Sequence, residues 1–370
     1  MKVVIAPDSF KGCLPADEVA NAIAEGVRDV FCDAHTVVMP VADGGEGTSR
    51  IIAGAVGAER MDVMAVDPLR RPVNAVWYKA GSVAYLDVAA DTALSLLSAE
   101  EYDPFETDSY GTGMLIEAAL DAGCRKIFVG LGGSATVDAG VGMALALGMR
   151  FADGAGCECN KATQVMSADS SGVDKRLGEC EVVLMSDVSN PLVGINGAAR
   201  VFGPQKGASA QWMVDSLDKA LARVADVVGG NAGESGAGAA GGIGFMLKAL
   251  VTAAGGNVSF RSGAECVLDI LQFETAAADS DIVISGEGHS DEQTLMGKIP
   301  YVVMRMARCL GVNTVLLVGG VDHRDRLIDA GFMDVCPINP LYADMSDAMM
   351  PDVARSRLRE TARQLMLRLM

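Results

Sequence analysis

Positive charge is scarce in this chain: 30 lysines and arginines stand against 48 aspartates and glutamates, a formal net charge of −18. A general nucleic-acid or anionic-membrane surface is therefore not expected, since either partner needs a basic face. Long apolar runs are missing too. The most apolar region, Gly236 to Gly256, is broken by glycines and carries Lys248, so it makes a poor membrane span. Near the amino end only Val3 to Ala6 is continuously apolar, which reads as a first strand rather than a signal peptide. Three histidines, His35, His289 and His323, form no H-x-x-x-H pair. The nine cysteines are scattered, with Cys157 and Cys159 the one close pair. That spacing is not a zinc finger, and an odd count argues against a disulfide framework. Free thiols in a cytoplasmic protein are expected. No G-x-S-x-G elbow is present, which disfavours a serine hydrolase. A Walker A sequence is also absent: Gly297-Lys298 lacks the upstream glycine and is followed by Ile299. Any use of ATP must rest on another phosphate cradle.

What is present is an ordinary folded composition, 50% hydrophobic and 21% charged over 370 residues, long enough for two domains. Apolar runs alternate with amphipathic stretches from end to end, the pattern of an α/β protein with a mostly parallel sheet. Strands are predicted at Lys2–Ala6, Thr36–Val41, Lys126–Val129, Glu181–Met185, Asp281–Ser285, Thr314–Val318 and Asp334–Pro337, with a hairpin of Ala75–Lys79 and Val83–Val88 around Gly81. Helices are predicted at Asp17–Phe31, Gly113–Ala122, Gln211–Val228 and from about Val353 onward. No proline- or serine-rich hinge marks a boundary. Simple βαβ alternation at both ends and a glycine-rich middle suggest a discontinuous Rossmann-like, doubly wound domain (1–75 with 275–370). A second α/β domain (76–274) would be inserted into it.

Four loops hold the candidate chemistry. The most informative is Gly286-Glu287-Gly288-His289-Ser290-Asp291-Glu292-Gln293-Thr294, with Gly297 and Lys298 beyond it. It reads as a buried strand breaking into a tight glycine turn, followed by acids, an amide, a hydroxyl and a lysine. Carboxylates of this kind can hold a divalent cation and a lysine can neutralise phosphate. The second, Asp8-Ser9-Phe10-Lys11-Gly12, directly follows the first strand; its alternative reading is helix capping by Ser9 or Asp17. Lys11 fits no cap, because a helix amino terminus disfavours cations. The third, Pro40 to Thr48, sets Asp43 and Glu46 among three glycines, or else uses Asp43 as a cap. The fourth pairs Asp187 and Asn190 with Lys206, an arrangement that can orient a hydroxyl and hold magnesium, or else an Asx-turn.

Between them lies Gly130-Leu131-Gly132-Gly133-Ser134-Ala135-Thr136, leading to a helix-like Val141–Leu147. Its amides would form an anion site at a helix amino terminus. The same segment satisfies G-x-G-x-x-A, and Asp153 lies where a ribose-binding acid would be expected. An NAD-dependent oxidoreductase is therefore a competing reading, and a non-catalytic binding protein for small acids is another.

Taken together, APDSFKG (Ala6–Gly12), PVADGGEGT (Pro40–Thr48), TDSYGTG (Thr107–Gly113), GLGGSAT (Gly130–Thr136), DVSNPL (Asp187–Leu192), FGPQKGA (Phe202–Ala208), GAGAAGG (Gly236–Gly242) and GEGHSDEQT (Gly286–Thr294) resemble, in order and over nearly the whole length, the bacterial glycerate kinase family. The resemblance implies two α/β domains around a cleft and ATP-dependent phosphorylation of D-glycerate with magnesium. The product implied is commonly 2-phosphoglycerate, with 3-phosphoglycerate as the alternative. Three positions depart from the family pattern: Val137 stands for an asparagine, Ala139 for a glycine and His289 for an arginine. The last change removes a permanent bidentate anion contact. The expected reaction is in-line transfer, in which positioning and charge neutralisation dominate. Asp187 is the expected base, with Asp8 and Asp43 as alternatives. Glu287 and Asp291 would hold Mg2+. Lys11, Lys206 and Lys298 would neutralise the phosphates and the glycerate carboxylate. The amides of Gly132, Gly133 and Ser134, with Gly286, would cradle the nucleotide, and Ser9, Asn190 and Gln293 would contact glycerate. The expected partners are this substrate and ATP, with no nucleic acid and no membrane.

Overall fold

A computed structural model describes residues 1–340 and 342–370. In chain order its strands begin with β1 (Lys2–Ile5), β2 (His35–Val38), β3 (Glu59–Val66), β4 (Pro72–Ala80), β5 (Val83–Asp87) and β6 (Lys126–Gly130). They continue with β7 (Arg150–Ala152), β8 (Ser167–Asp169), β9 (Glu181–Met185), β10 (Asn257–Arg261), β11 (Ile282–Ser290), β12 (Thr314–Val321) and β13 (Asp334–Pro337). Two compact units result, one of Met1–Asp43 with Ala264–Met370 and one of Gly44–Gly263.

The first unit carries a five-stranded sheet in the order β13-β12-β11-β1-β2, parallel at every pairing. Side chains alternate across a strand, and the alternation sorts this core into two layers. Ile5, Ile284, Val315, Leu317 and Cys336 pack with helices Ala16–Arg28 and Pro351–Arg368. Their neighbours Leu316, Val318 and Val335 pack on the other side with Met304 of helix Ile299–Cys309 and with Leu327. Helices thus cover both faces, as buried parallel strands require. The strand order reverses between β1 and β11. In open doubly wound sheets, ligands bind outside the carboxyl ends of strands at such a switch point.

The second unit holds a six-stranded sheet in the order β10-β9-β6-β5-β4-β3. Four strands are parallel, and β4 and β3 extend the sheet antiparallel. The hairpin at Gly81 forms as predicted, with Ala80 opposite Val83 and Gly81 at φ 61°. The unit's core runs from Trp77 and Leu86 through Val129 and Leu184 to helices Gln211–Val228 and Ile243–Ala254. Helix Ile243–Ala254 lies within the glycine-broken apolar stretch. Among the described residues no helix is long and apolar enough to cross a membrane.

The division falls at 43/44 and 263/264, where the sequence pattern suggests 75/76 and 274/275. The reason is pairing: β3 hydrogen-bonds along its length to β4, from Glu59–Lys79 to Val66–Pro72. The Gly44 carbonyl accepts from the Gly132 amide and the Gly47 amide donates to the Asp87 carboxylate, which ties residues from the forties onward to the second sheet. Strands β3 and β10 escape notice in the sequence because their alternation is half polar and exposed.

Packing explains one of the departing residues, and backbone conformation sets the cost of a second. Val137 is fully buried in the core of the second unit, where an apolar side chain is at home. Ala139 sits in the left-handed region at φ 54°, which costs a residue with a Cβ about 1–2 kcal/mol. Ala139→Gly is expected to stabilise the unit by about 0.5–1 kcal/mol, since glycine's larger unfolded-state entropy offsets part of the gain. Urea denaturation measures this, and a midpoint that falls on substitution would contradict it.

Candidate active site

In the first unit three loops converge at the switch point. The segment after β1 is pinned on both sides: the Asp8 amide donates to the Gly286 carbonyl (2.8 Å) and the Val41 amide to the Pro7 carbonyl (3.0 Å). No side chain caps helix Ala16–Arg28, which follows Pro15, so Ser9 is not a cap. Instead the Asp8 carboxylate accepts from the Ser9 amide (2.6 Å) and hydroxyl (3.3 Å). Burial, then the neighbouring Asp43 and more weakly Glu287, push the Asp8 carboxyl up to about 7, against the pull of the Ser9 amide and Lys11. Lys11 extends into solvent, its Nζ 3.9 Å from Asp43 Oδ2.

The glycines at Gly286 and Gly288 do not make a turn. Strand β11 continues to Ser290, paired with β12 as far as Ser290–Val321. The glycines permit close approach between strands: a Cβ on Gly286 would lie 2.9 Å from the Leu317 carbonyl oxygen, and one on Gly319 2.4 Å from the Gly288 carbonyl oxygen. This extension carries Glu287 to the sheet's edge while keeping it only 4% exposed. Its Oε1 accepts from the hydroxyls of Ser290 (2.5 Å) and Thr294 (2.7 Å). Lys298 Nζ stands 4.0 Å from Glu287 Oε2 and 3.5 Å from Asp291 Oδ1. Burial raises the Glu287 carboxyl, whereas the Gln293 amide and Lys298 outweigh desolvation and lower Asp291. Gln293 is exposed. His289 is exposed as well, with Nε2 3.1 Å from Asp322 Oδ2.

The second unit rearranges the remaining expectations. The Gly132 amide is spent on the Gly44 carbonyl (2.9 Å), and a Cβ there would fall 2.6 Å from Gly45 Cα. Helix Val141–Ala146 already has an anion at its start: Asp138 accepts from the amides of Gly140 and Gly142 (3.0 Å each) and from the Ser109 hydroxyl (2.7 Å). The expected anion site at that terminus is thus filled by the chain's own carboxylate. Lys206, 4% exposed, donates to Ser134 Oγ (2.8 Å) and the Thr136 carbonyl (2.9 Å). It thereby joins two loops the sequence treats separately. Asp187 Oδ1 accepts from the Ser262 hydroxyl (2.7 Å) and the Gly263 amide (2.8 Å), while Asn190 donates to the Asn196 carbonyl (2.9 Å). Asp43 is not the cap of helix Thr48–Val56; Asp87 takes that place, accepting from the amides of Gly47 and Ser49 (3.0 Å each). Asp153 spends Oδ1 on the amides of Ala155 and Cys157 (2.9 Å each), which removes the ribose acid from the dinucleotide reading.

Sequence reasoning misses the buried acids Asp87, Asp91 and Asp138. Asp87 ends β5, and a carboxylate closing an apolar run was the available signal. Burial pushes Asp87 and Asp91, like Asp8, up to about 7, and pushes the Lys206 amine down to about 7. Folded carboxyls then hold protons more tightly than the unfolded chain, whose values lie near ~4, so stability falls as pH rises from about 4 to 7. Lys206 works in the opposite sense: above about 7 the unfolded chain binds its proton more tightly, so stability rises toward ~10. A melting temperature with a minimum near neutrality is expected in calorimetric scans between about pH 5 and 9. Asp91→Asn should flatten the acid limb. A maximum near neutrality would refute this assignment.

Residues 3–370 match the glycerate kinase family. The chain belongs to that family, and so to the kinases, which sets aside both the oxidoreductase and the non-catalytic readings. It is 44% identical over 359 residues to the glycerate 2-kinase of Escherichia coli K12, covering 92% of each chain. It is 38% identical to the glycerate kinase of Bacillus subtilis 168, over 99% of this chain and 97% of the relative. A crystal structure from Salmonella typhimurium LT2, ascribed to glycerate kinase 2, superposes with a TM-score of 0.85 at 38% identity, covering 100% of this chain and 98% of that one.

Proposed function

We propose that the chain transfers the γ-phosphoryl group of ATP to the 2-hydroxyl of D-glycerate, giving 2-phosphoglycerate with the help of Mg2+. The observation that carries this reading is the crowding of Asp8, Asp43 and Glu287 at the switch point of the first unit, with Lys11 and Lys298 alongside. Like charges held this close call for a cation, and phosphoryl transfer needs little from a protein beyond charge and position.

Among the described residues no group of three or more acids, histidines or cysteines is preassembled for a metal. Mg2+ commonly takes one or two protein carboxylates and completes its shell with water and phosphate, so Glu287 and Asp291 fit it. Bound there, the ion would neutralise charge on the transferring phosphoryl group. Asp8 is the carboxylate we assign as general base: its carboxyl at about 7 suits proton transfer near neutrality. Asp187, with one oxygen engaged by Ser262 and Gly263, is the alternative, as is Asp43. Lys11 and Lys298 supply positive charge toward phosphate and the glycerate carboxylate, and Ser9 and Gln293 supply hydrogen bonds to the substrate. Asn190 and Gly286 hold their loops in place. Lys206 is assigned to bracing the Ser134–Thr136 loop, since its nitrogen already has two acceptors; the Gly133 and Ser134 amides remain for an anion.

Incubation with ATP, Mg2+ and D-glycerate, followed by phosphorus NMR, tests the reading. A 2-phosphoglycerate resonance is expected. A 3-phosphoglycerate resonance would reverse the regiochemistry, and intact ATP would overturn the proposal.

A further inference from the structure

The segment Thr107–Gly113 and the turn at Arg70 have no task in the reaction above, yet the second unit builds a cavity of about 790 Å3 on them. That volume is typical of small-molecule sites. Its walls include Arg70, Tyr110, Arg150, Asn160 and Gln164, with Glu158 the one carboxylate. Arg70 is fixed by three constraints: a left-handed backbone at φ 62°, a hydrogen bond from Nε to Asp108 Oδ2 (2.7 Å), and a guanidinium 4.3 Å from the Tyr110 ring centroid. Among the described residues that hydrogen bond is the only one its side chain makes, so its terminal nitrogens are left to meet a ligand. The Arg150 guanidinium and the side-chain amides of Asn160 and Gln164 likewise have no hydrogen bond among the described residues.

Arg70 is ion-paired with Asp108, and Arg150 stands opposite Asp169 in the β7–β8 pair, so the lining offers unspent N–H donors on two guanidiniums and not a net positive charge. Guanidinium groups match the planar oxygens of carboxylate and phosphate. We propose that this cavity is a second ligand site, taking a small organic anion that carries carboxylate or phosphate groups. Arg70 and Arg150 would hold its charge, and Asn160 and Gln164 would fix its orientation. The cavity shares no lining residue with the Asp8–Glu287 cluster, and its proposed role does not depend on the reaction assigned to that cluster. Arg70 also links it to the loop after β6: Asp108 precedes Ser109, whose amide and hydroxyl both bond Asp138 (3.0 and 2.7 Å).

Titration calorimetry of the full chain at low salt, without nucleotide, with citrate and separately with inorganic phosphate, tests this. Saturable binding of at least one anion is expected. Arg150→Gln should weaken it about tenfold or more, the effect of removing a charge-assisted contact, and Asn160→Ala should weaken it by less. Arg150 is exposed on a short edge strand, so the Gln variant should melt like the parent and turn over normally without the anion. Equal affinity in the parent and Arg150→Gln overturns the site, as does the absence of saturable binding by both anions. The readout is heat of binding, so neither result depends on whether glycerate is phosphorylated.

Discussion

Asp8→Asn is expected to lower turnover by about 10²–10⁴-fold, the range for loss of a general base, without unfolding the protein. The asparagine oxygen can still accept from the Ser9 amide, and the backbone bond from Asp8 to Gly286 does not involve the side chain. What disappears is a charge crowded by Asp43 and Glu287. Two accompanying signs separate loss of a base from loss of structure. Because the Asp8 carboxyl lies near 7 in the fold, the parent's kcat/KM should climb through neutrality, and the variant should lose that limb. Above neutrality the variant should also melt no lower than the parent, since ionising a desolvated carboxylate costs the folded state. Steady-state kinetics and melting curves between about pH 6 and 9 read all three. Normal turnover in Asp8→Asn would pass the base role to Asp187 or Asp43.

Glu287→Gln should cost about 10²–10³-fold in turnover, comparable to removing one electrostatic stabiliser from a buried site, and raise the Mg2+ concentration needed for half-maximal rate. Glutamine keeps an acceptor for the Ser290 and Thr294 hydroxyls, which hold Oε1 at 2.5 and 2.7 Å. The local hydrogen bonding therefore survives while the charge facing Lys298 is removed. Thr294→Val provides the complement. It removes a hydroxyl but leaves the charge, and should reduce turnover less than Glu287→Gln without shifting the Mg2+ dependence. An unaltered Mg2+ requirement in Glu287→Gln would exclude this carboxylate from the metal site. Both variants are best assayed with saturating D-glycerate, so that changes in substrate affinity do not mask changes in the chemical step.

Much of the first unit was legible from local pattern. Strands such as Lys2–Ile5 and Thr314–Val321 are short buried apolar runs, and the acids and lysines that follow β1 and β11 stand out against them. Less legible were elements whose pattern is diluted. Strands β3 and β10 alternate with polar residues at exposed edges, and helix Ile243–Ala254 follows glycines that mask its start. The turn read at Gly286 failed for a related reason. Glycine marks turns only when the chain needs a positive φ, and here it serves the close passage of Gly286 past Leu317 and of Gly319 past Gly288 instead.

The sequence by itself determined the α/β class, the family and the order of the polar loops, because side-chain periodicity and loop chemistry are local properties of the chain. Tertiary structure alone decided which donors were already taken. Asp138 fills the helix terminus that looked ready for phosphate, Lys206 closes on Ser134 and Thr136, and Asp187 gives one oxygen to Ser262 and Gly263. Each of these bonds joins groups whose proximity or alignment depends on packing, and a buried polar group must find whatever partner packing brings within reach. The same burial moves Asp8 and Lys206 toward 7, because desolvation is a property of the surroundings and not of the residue.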